Sequence, residues 1–401
     1  MLTIGGTTKV GAVIVDVVRT PSGKGKPGGA LSGQHPVDLL GEVLKSLLER
    51  NGLESYQIDD VLVGCVSQVG EQSGNIARNA LLSAGFDVSV PGASIDRQCG
   101  SSQQAAHFAA QGVIARAYDI VIAAGVESMS RVPLGSSAGS ASPFGEAIRS
   151  RYPNGLVNQG IAAELIAAKW QLSREDLDRF SAESHSRAAV AIAAGAFAGE
   201  VLPVELPNGL TLSADETVRP STSVEGLASL PPAFYSEAMA ERFPEIQWSI
   251  TAGNSSPLTD AASAVLIMSE DAASRLGLKP RARFHSFAVV GDDPIFMLTG
   301  PIPATYRILE RSGLRFRDLD VYEVNEAFAP IPLAWAREFD ADLDKLNPWG
   351  GAIALGHAVG ASGTRLLGTM LSYLEATGGR YGLQTMCEGG GMANATIIER
   401  L

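Results

Sequence analysis

Two cysteines and one histidine, each set among small residues near the end of an apolar run, are the groups in this chain best suited to covalent chemistry. Cys99 lies in Ser94-Ile95-Asp96-Arg97-Gln98-Cys99-Gly100-Ser101, where a strand gives way to an alanine-rich helical stretch. Cys387 lies in Thr385-Met386-Cys387-Glu388-Gly389-Gly390-Gly391, at the end of another strand. Between them comes Gly356-His357-Ala358-Val359-Gly360, preceded by Gly350 and Gly351. A strand–turn–helix passage would set the Cys99 sulfur beside a helix N-terminus, where unpaired N–H groups favour a thiolate. An imidazole on a glycine-lined turn could take that thiol's proton and then donate to an oxyanion. A second thiol, with an ordinary pKa of roughly 8–9, suits proton exchange with a carbon acid near neutrality. The three glycines after it could form an anion-binding nest. Together these groups point to acyl transfer coupled to proton transfer at carbon.

Each residue alone has a plainer reading: a buried inert cysteine, a satisfied structural histidine, a strand-end cysteine before a glycine turn. Asn325, in Glu323-Val324-Asn325-Glu326-Ala327-Phe328, reads locally as an Asx turn after a strand. Cys65, inside an apolar strand, is assigned to the core.

The elements that must position these groups come in two similar blocks. The first predicts strands over 12–18, 60–65 and 119–125, helices over 37–50 and 75–84, and a further helix after Cys99. The second predicts strands over 282–290, 319–324, 382–387 and 395–399, with helices over 303–312 and 360–375. His357 precedes its helix as Cys99 precedes its own. The alternation is that of an α/β sheet covered by helices, with a duplicated plan. The stretch between, with helices over 160–170 and 174–194, reads as an insertion over the face where the catalytic turns emerge.

Composition narrows the function classes. The 401 residues are 45% hydrophobic and 18% charged, with 44 glycines, which describes compact globular domains. A formal net charge of −12 argues against a nucleic-acid partner. Three cysteines are too few for a disulfide framework, no spacing matches a zinc site, and a reducing, cytoplasmic setting is expected. The opening Met1-Leu2-Thr3-Ile4-Gly5-Gly6 lacks a signal-peptide pattern, and no apolar run reaches membrane-spanning length.

The ordered blocks around Cys99, Asn325, His357 and Cys387 resemble the thiolases, which make or cleave 3-ketoacyl-coenzyme A. Arg19-Thr20-Pro21, Thr251-Ala252-Gly253-Asn254-Ser255-Ser256 and the Asn347-Pro348 segment add to the resemblance, which covers nearly the whole chain. It implies two duplicated βαβαβαββ core halves in a layered α-β-α-β-α structure: residues 1–126 completed by 250–279, and residues 280–401. Residues 127–249 would form a loop and helical lid with the coenzyme A and acyl pocket. It implies that Cys99 is acylated, His357 activates it, Cys387 moves the α-carbon proton, and Asn325 holds a water in one oxyanion site. The N–H groups of Cys99 and Gly389 would make a second. Ser256 and Arg219 would contact coenzyme A, and Asn158, Gln159 and Phe328 would line the substrate pocket.

Coenzyme A would be a co-substrate, with no permanently bound cofactor or metal, no membrane partner, and a homodimer or homotetramer as the assembly. Ala358, Pro257, Gln103 and Met392 depart from common family residues, which bears on substrate range. Asn158-Gln159-Gly160 and the Asp96-Arg97-Gln98-Cys99 segment look more like degradative, steroid-side-chain-type members. The alternatives are a biosynthetic acetoacetyl-CoA thiolase and a non-catalytic acyl-CoA-binding relative.

Overall fold

The computed structural model describes residues 11–401; residues 1–10, and with them the Met1–Gly6 leader question, lie outside it. The first block runs β1 (Ala12–Arg19), α1 (Pro36–Asn51), β2 (Asp60–Gly64), α2 (Ile76–Ser83), β3 (Gly92–Ile95), α3 (Ser101–Ile114) and β4 (Ile120–Ser128). An insertion carries α4 (Gln159–Lys169) and α5 (Arg174–Ala193), and β5 (Thr259–Ser269) then completes the block. The second runs β6 (Ala282–Gly291), α6 (Pro301–Ser312), β7 (Val321–Val324), α7 (Pro330–Phe339), α8 (Ser362–Thr377), β8 (Tyr381–Glu388) and β9 (Met392–Arg400). Helix α6 begins two residues ahead of the sequence expectation because Pro301 fits the first helical turn, where no amide donor is needed.

Duplication is visible in the pairing. In the first block β3, β2 and β4 are parallel, and β5 and β1 then follow antiparallel. In the second, β7 and β8 are parallel, and β9 and β6 follow antiparallel. The place equivalent to β3 has shrunk to one parallel bridge between Tyr322 and Leu346. The halves join through two residue pairs, Val13 with Arg283 and Ile14 with Ala282.

Successive strand side chains face opposite layers. Val13, Val15 and Val18 pack toward α1 and α2, whereas Ile14 and Val17 face a central layer; the break in alternation sits at a register shift between Ile14 and Asp16. That central layer is α3 and α8, with Ala105, Ala106, Ala109 and Ala110 meeting the same core as Leu367, Met370, Leu371 and Leu374. Helices α6 and α7 cover the far face around Trp335. The order is helices, sheet, helices, sheet, helices. Cys65 is buried in the outer core of the first block. Helix α4 packs at the Cys387 end of β8: Ile161, Ala162 and Ile166 share a cluster with Phe328 and Cys387. No helix among the described residues is long and apolar enough to cross a membrane.

Candidate active site

The turn before α3 is wound tightly. Gln98 has a left-handed φ of 49°, its N–H donates to Asp96 Oδ1 at 2.7 Å, and its carbonyl accepts from the Ser101 N–H at 3.0 Å. This presents Cys99 at the entrance of α3, where it packs with Met129, Val359 and Met386 and is only 4% exposed. Those neighbours tie it to the loops that carry His357 and Cys387, since Val359 follows His357 by two residues and Met386 precedes Cys387. The expected thiolate is not the resting state. Burial, and then the charge of Glu388, pushes the Cys99 thiol up to about 12 against the pull of its own backbone amide. The helix terminus is present, but water is excluded, and desolvation wins.

His357 sits on a loop pinned from several sides. Its N–H donates to Thr259 Oγ1 at 2.9 Å, and that hydroxyl donates in turn to Pro257 O at 2.8 Å. Nδ1 lies 2.6 Å from Ser362 Oγ in the first turn of α8, and Ser362 Oγ donates to Ala358 O at 2.9 Å. The amide nitrogen of Asn325 lies 3.4 Å from Nε2. Both serine contacts are hydrogen bonds only if Nδ1 carries the ring hydrogen, which leaves a lone pair on Nε2. Burial, reinforced by the Arg365 charge, lowers the imidazole to about 3, so it is neutral at rest.

The loop's approach to the sheet depends on missing side chains. A Cβ on Gly125 would overlap Gly360 O and come 2.7 Å from Ser102 Cβ. Below it the buried Glu127 carboxylate accepts from the N–H groups of Gly360 at 3.1 Å, Val66 at 2.9 Å and Ser67 at 3.0 Å, and from Gln72 Nε2 at 2.8 Å. One carboxylate thus fastens the His357 loop to the ends of β2 and β4.

Cys387 is fully buried in the cluster formed by α4, Phe328 and Met297. Its pKa is not near the free value: burial raises it well above, and the neighbouring Cys99 adds to the effect. The next residues close the β8–β9 hairpin. Cys387 pairs with Ala393 and Glu388 with Met392, and Gly390 and Gly391 have φ of 86° and 79°. Part of the glycine run therefore serves the turn. Gly389 adjoins the turn that carries Cys99, since a Cβ on it would meet Gln98 Oε1 at 3.1 Å.

Asn325 leaves β7 with its N–H donating to Thr385 O at 3.1 Å, and its buried Oδ1 has no partner. Beyond it Ser255 bridges Phe328, and the Ser256 N–H donates to Ala327 O at 3.0 Å. Ser256 and Phe328 thus belong to one wall beside Asn325. Phe328 meets Phe234 edge-on at 5.8 Å between centroids.

Other expected contacts stand further out. Arg219 is exposed, and its backbone N–H donates to His185 Nδ1 at 3.2 Å. Asn158 spends its side-chain oxygen on capping α4, accepting from the Ile161 N–H at 3.0 Å, and is exposed. Gln159 is half-buried in the first turn of that helix. Ser362, Thr259, Glu127 and Glu388 had no place in the sequence reading, although Ser362 follows His357 by five residues, a spacing that a helix start brings into reach. Among the described residues no cluster of His, Cys, Asp and Glu is arranged to hold a metal ion.

Comparison with known proteins agrees over almost the full length. Residues 12–271 match the thiolase N-terminal domain and residues 278–400 the thiolase C-terminal domain. A steroid 3-ketoacyl-CoA thiolase, FadA6, of Mycobacterium tuberculosis is 48% identical over 404 residues, covering 99% of this chain and 96% of that protein. A 3-ketoacyl-CoA thiolase of Vibrio cholerae is 42% identical, covering 97% of this chain and 99% of that one. The crystal structure of the Bacillus anthracis acetyl-CoA acetyltransferase superposes with a TM-score of 0.87 at 34% identity, covering 99% of this chain and all of that one.

Proposed function

We propose a mechanism from one premise: this chain belongs to the thiolase family. It is an acyltransferase of the degradative kind, cleaving a 3-ketoacyl-CoA with coenzyme A into acetyl-CoA and a shortened acyl-CoA. The observation that carries the roles of the individual residues is the Nε2 lone pair of His357, facing the Asn325 amide at 3.4 Å on a loop that packs against Cys99.

In the resting site Cys99 is a thiol and His357 neutral, so proton transfer accompanies attack. As the Cys99 sulfur bonds to the 3-keto carbon, its proton passes to Nε2. The imidazolium keeps that proton and donates a hydrogen bond through it to the new oxyanion, aided by a water on the free Asn325 Oδ1. Collapse of the alkoxide re-forms the carbonyl as an acyl thioester on Cys99, breaks the C2–C3 bond and expels an acetyl-CoA enolate, while the Cys99 proton stays on His357. Cys387 donates its proton to the enolate carbon and becomes the thiolate. Coenzyme A then enters, gives its thiol proton to Cys387, and attacks the acyl group. Cys99 leaves and recovers the proton held on His357. The N–H groups of Cys99 and Gly389 receive the enolate oxygen, a role supported by the closeness of Gly389 to the Cys99 turn, where an added Cβ would meet Gln98 Oε1.

Ser256 is assigned to the pantetheine arm and Arg219 to the phosphates of coenzyme A, which is a co-substrate rather than a resident cofactor. Gln159 and Phe328 are assigned to the acyl pocket, with Asn158 acting there through the start of α4. The acyl group is bulky or branched, a reading supported by the name of the M. tuberculosis relative. The protein is placed in the cytoplasm as a homodimer or homotetramer. Residues 127–249 form the lid between core halves 1–126 with 250–279 and 280–401. The test is coenzyme A-dependent loss of the enolate absorbance of a 3-ketoacyl-CoA across acyl lengths, including a cyclic one. A binding protein gives no loss, and a short-chain biosynthetic enzyme acts on acetoacetyl-CoA alone.

A further inference from the structure

The nucleophile turn rests on a buried acid that the mechanism above leaves unused. Glu388 is completely shielded from solvent, and neither of its carboxyl oxygens has a hydrogen-bond partner. It lies against the residue after the nucleophile, because a Cβ on Gly100 would overlap Glu388 Oε1. Asn394, across the β8–β9 hairpin, closes the same space by donating to Gly100 O at 3.0 Å. The charged or titratable groups around this carboxyl are Asp96, Arg97 and Cys99 on the nucleophile turn and Cys387 beside it on β8; Glu127 on β4 acts on Cys99 as well. Arg97 is the one cation among them and forms no ion pair with Glu388 within 4 Å.

We propose that Glu388 is a positioning residue that must hold its proton for Cys99 to act as a nucleophile. As a neutral acid it packs beneath the turn without opposing charge on the sulfur. As a carboxylate it sets a second negative charge beside a thiolate in a water-poor site, and the two ionisations oppose each other. Burial raises this carboxyl to about 8, partly offset by Arg97, so the change falls just above neutrality. The inference rests on Cys99 being the nucleophile.

The test follows carbamidomethylation of the Cys99 peptide in intact protein by mass spectrometry as a function of pH. In the unmodified protein the logarithm of the rate should rise with unit slope at low pH and flatten over about one pH unit near the Glu388 ionisation. Glu388→Gln should restore unit slope throughout and react about tenfold faster at alkaline pH, and its thiolysis should lose the alkaline decline of the parent. A straight unit slope in the unmodified protein overturns the proposal whether or not the variant folds. So does a variant profile that superposes on the parent's. Formation of an acyl adduct on Cys99 is read separately, so failure of the nucleophile assignment is distinguished from failure of the Glu388 role.

Discussion

The Nδ1 atom of His357 and the Oγ atom of Ser362 are 2.6 Å apart, and the same hydroxyl donates to Ala358 O at 2.9 Å. That pair fixes both the ring orientation and the tautomer, and so decides that Nε2 is the basic nitrogen presented beside Asn325. Ser362→Ala leaves a buried N–H without a partner, at a cost of about 1–3 kcal/mol. If most of that falls on the transition state, kcat drops about ten- to a hundredfold with little change in KM. Steady-state thiolysis against 3-ketoacyl-CoA concentration checks this, and an unchanged kcat contradicts the assignment.

Gly125→Ala pushes a methyl group into Gly360 O and Ser102 Cβ. Overpacking at such a point costs about 1–3 kcal/mol and displaces the His357 loop. Urea unfolding should show the lower stability, and activity at a temperature where the variant remains folded should fall further than stability alone explains.

Much of this site was legible in the sequence, for a physical reason. Cys99, His357 and Cys387 carry chemistry that few residue types share, and strand-to-helix junctions announce where such groups emerge. The duplicated plan was also readable, because β2 and β7 and the helices α3 and α8 repeat one hydrophobic pattern. What the sequence hid was environment. The thiolate expected of Cys99 fails because burial outweighs the helix terminus, and burial of Cys387 comes from α4, more than two hundred residues upstream. Asn158 and Ser362 are both hydrogen-bonding residues near helix starts, yet one caps a helix and the other orients the imidazole. Only the folded path of the chain separates those jobs.

The buried acids give stability a definite pH dependence. Glu323 and Glu388 are both raised to about 8, first by burial, so the native state holds protons that the unfolded chain has already released. The lowered histidines His107, His185 and His357 act in the opposite sense only below their unfolded value of about 6.5. From about pH 6.5 to 8, stability should therefore fall as pH rises, by at most about 1.4 kcal/mol per unit for each acid. Thermal melts across that range test the sign, and a melting temperature that rises with pH contradicts it.

The Arg219 guanidinium is exposed and makes no salt bridge among the described residues. If it meets a phosphate of coenzyme A, Arg219→Ala should raise KM for coenzyme A about three- to tenfold, as expected for a largely solvated ionic contact. The turnover number should be unchanged, and the KM effect should fade at high salt. Equal KM values with and without the arginine would remove this residue from the binding site.

The central claim is that two sulfurs divide the labour, Cys99 carrying the acyl group and Cys387 the proton. Its most direct test is the mass of the Cys99 peptide in the Cys387→Ala variant, after exposure to an acyl-CoA and, separately, to a 3-ketoacyl-CoA. The account predicts an acyl adduct on Cys99 from the acyl-CoA and loss of carbon–carbon cleavage, with no adduct at all in Cys99→Ser. Full thiolysis by Cys387→Ala, or an adduct on any residue other than Cys99, would contradict it.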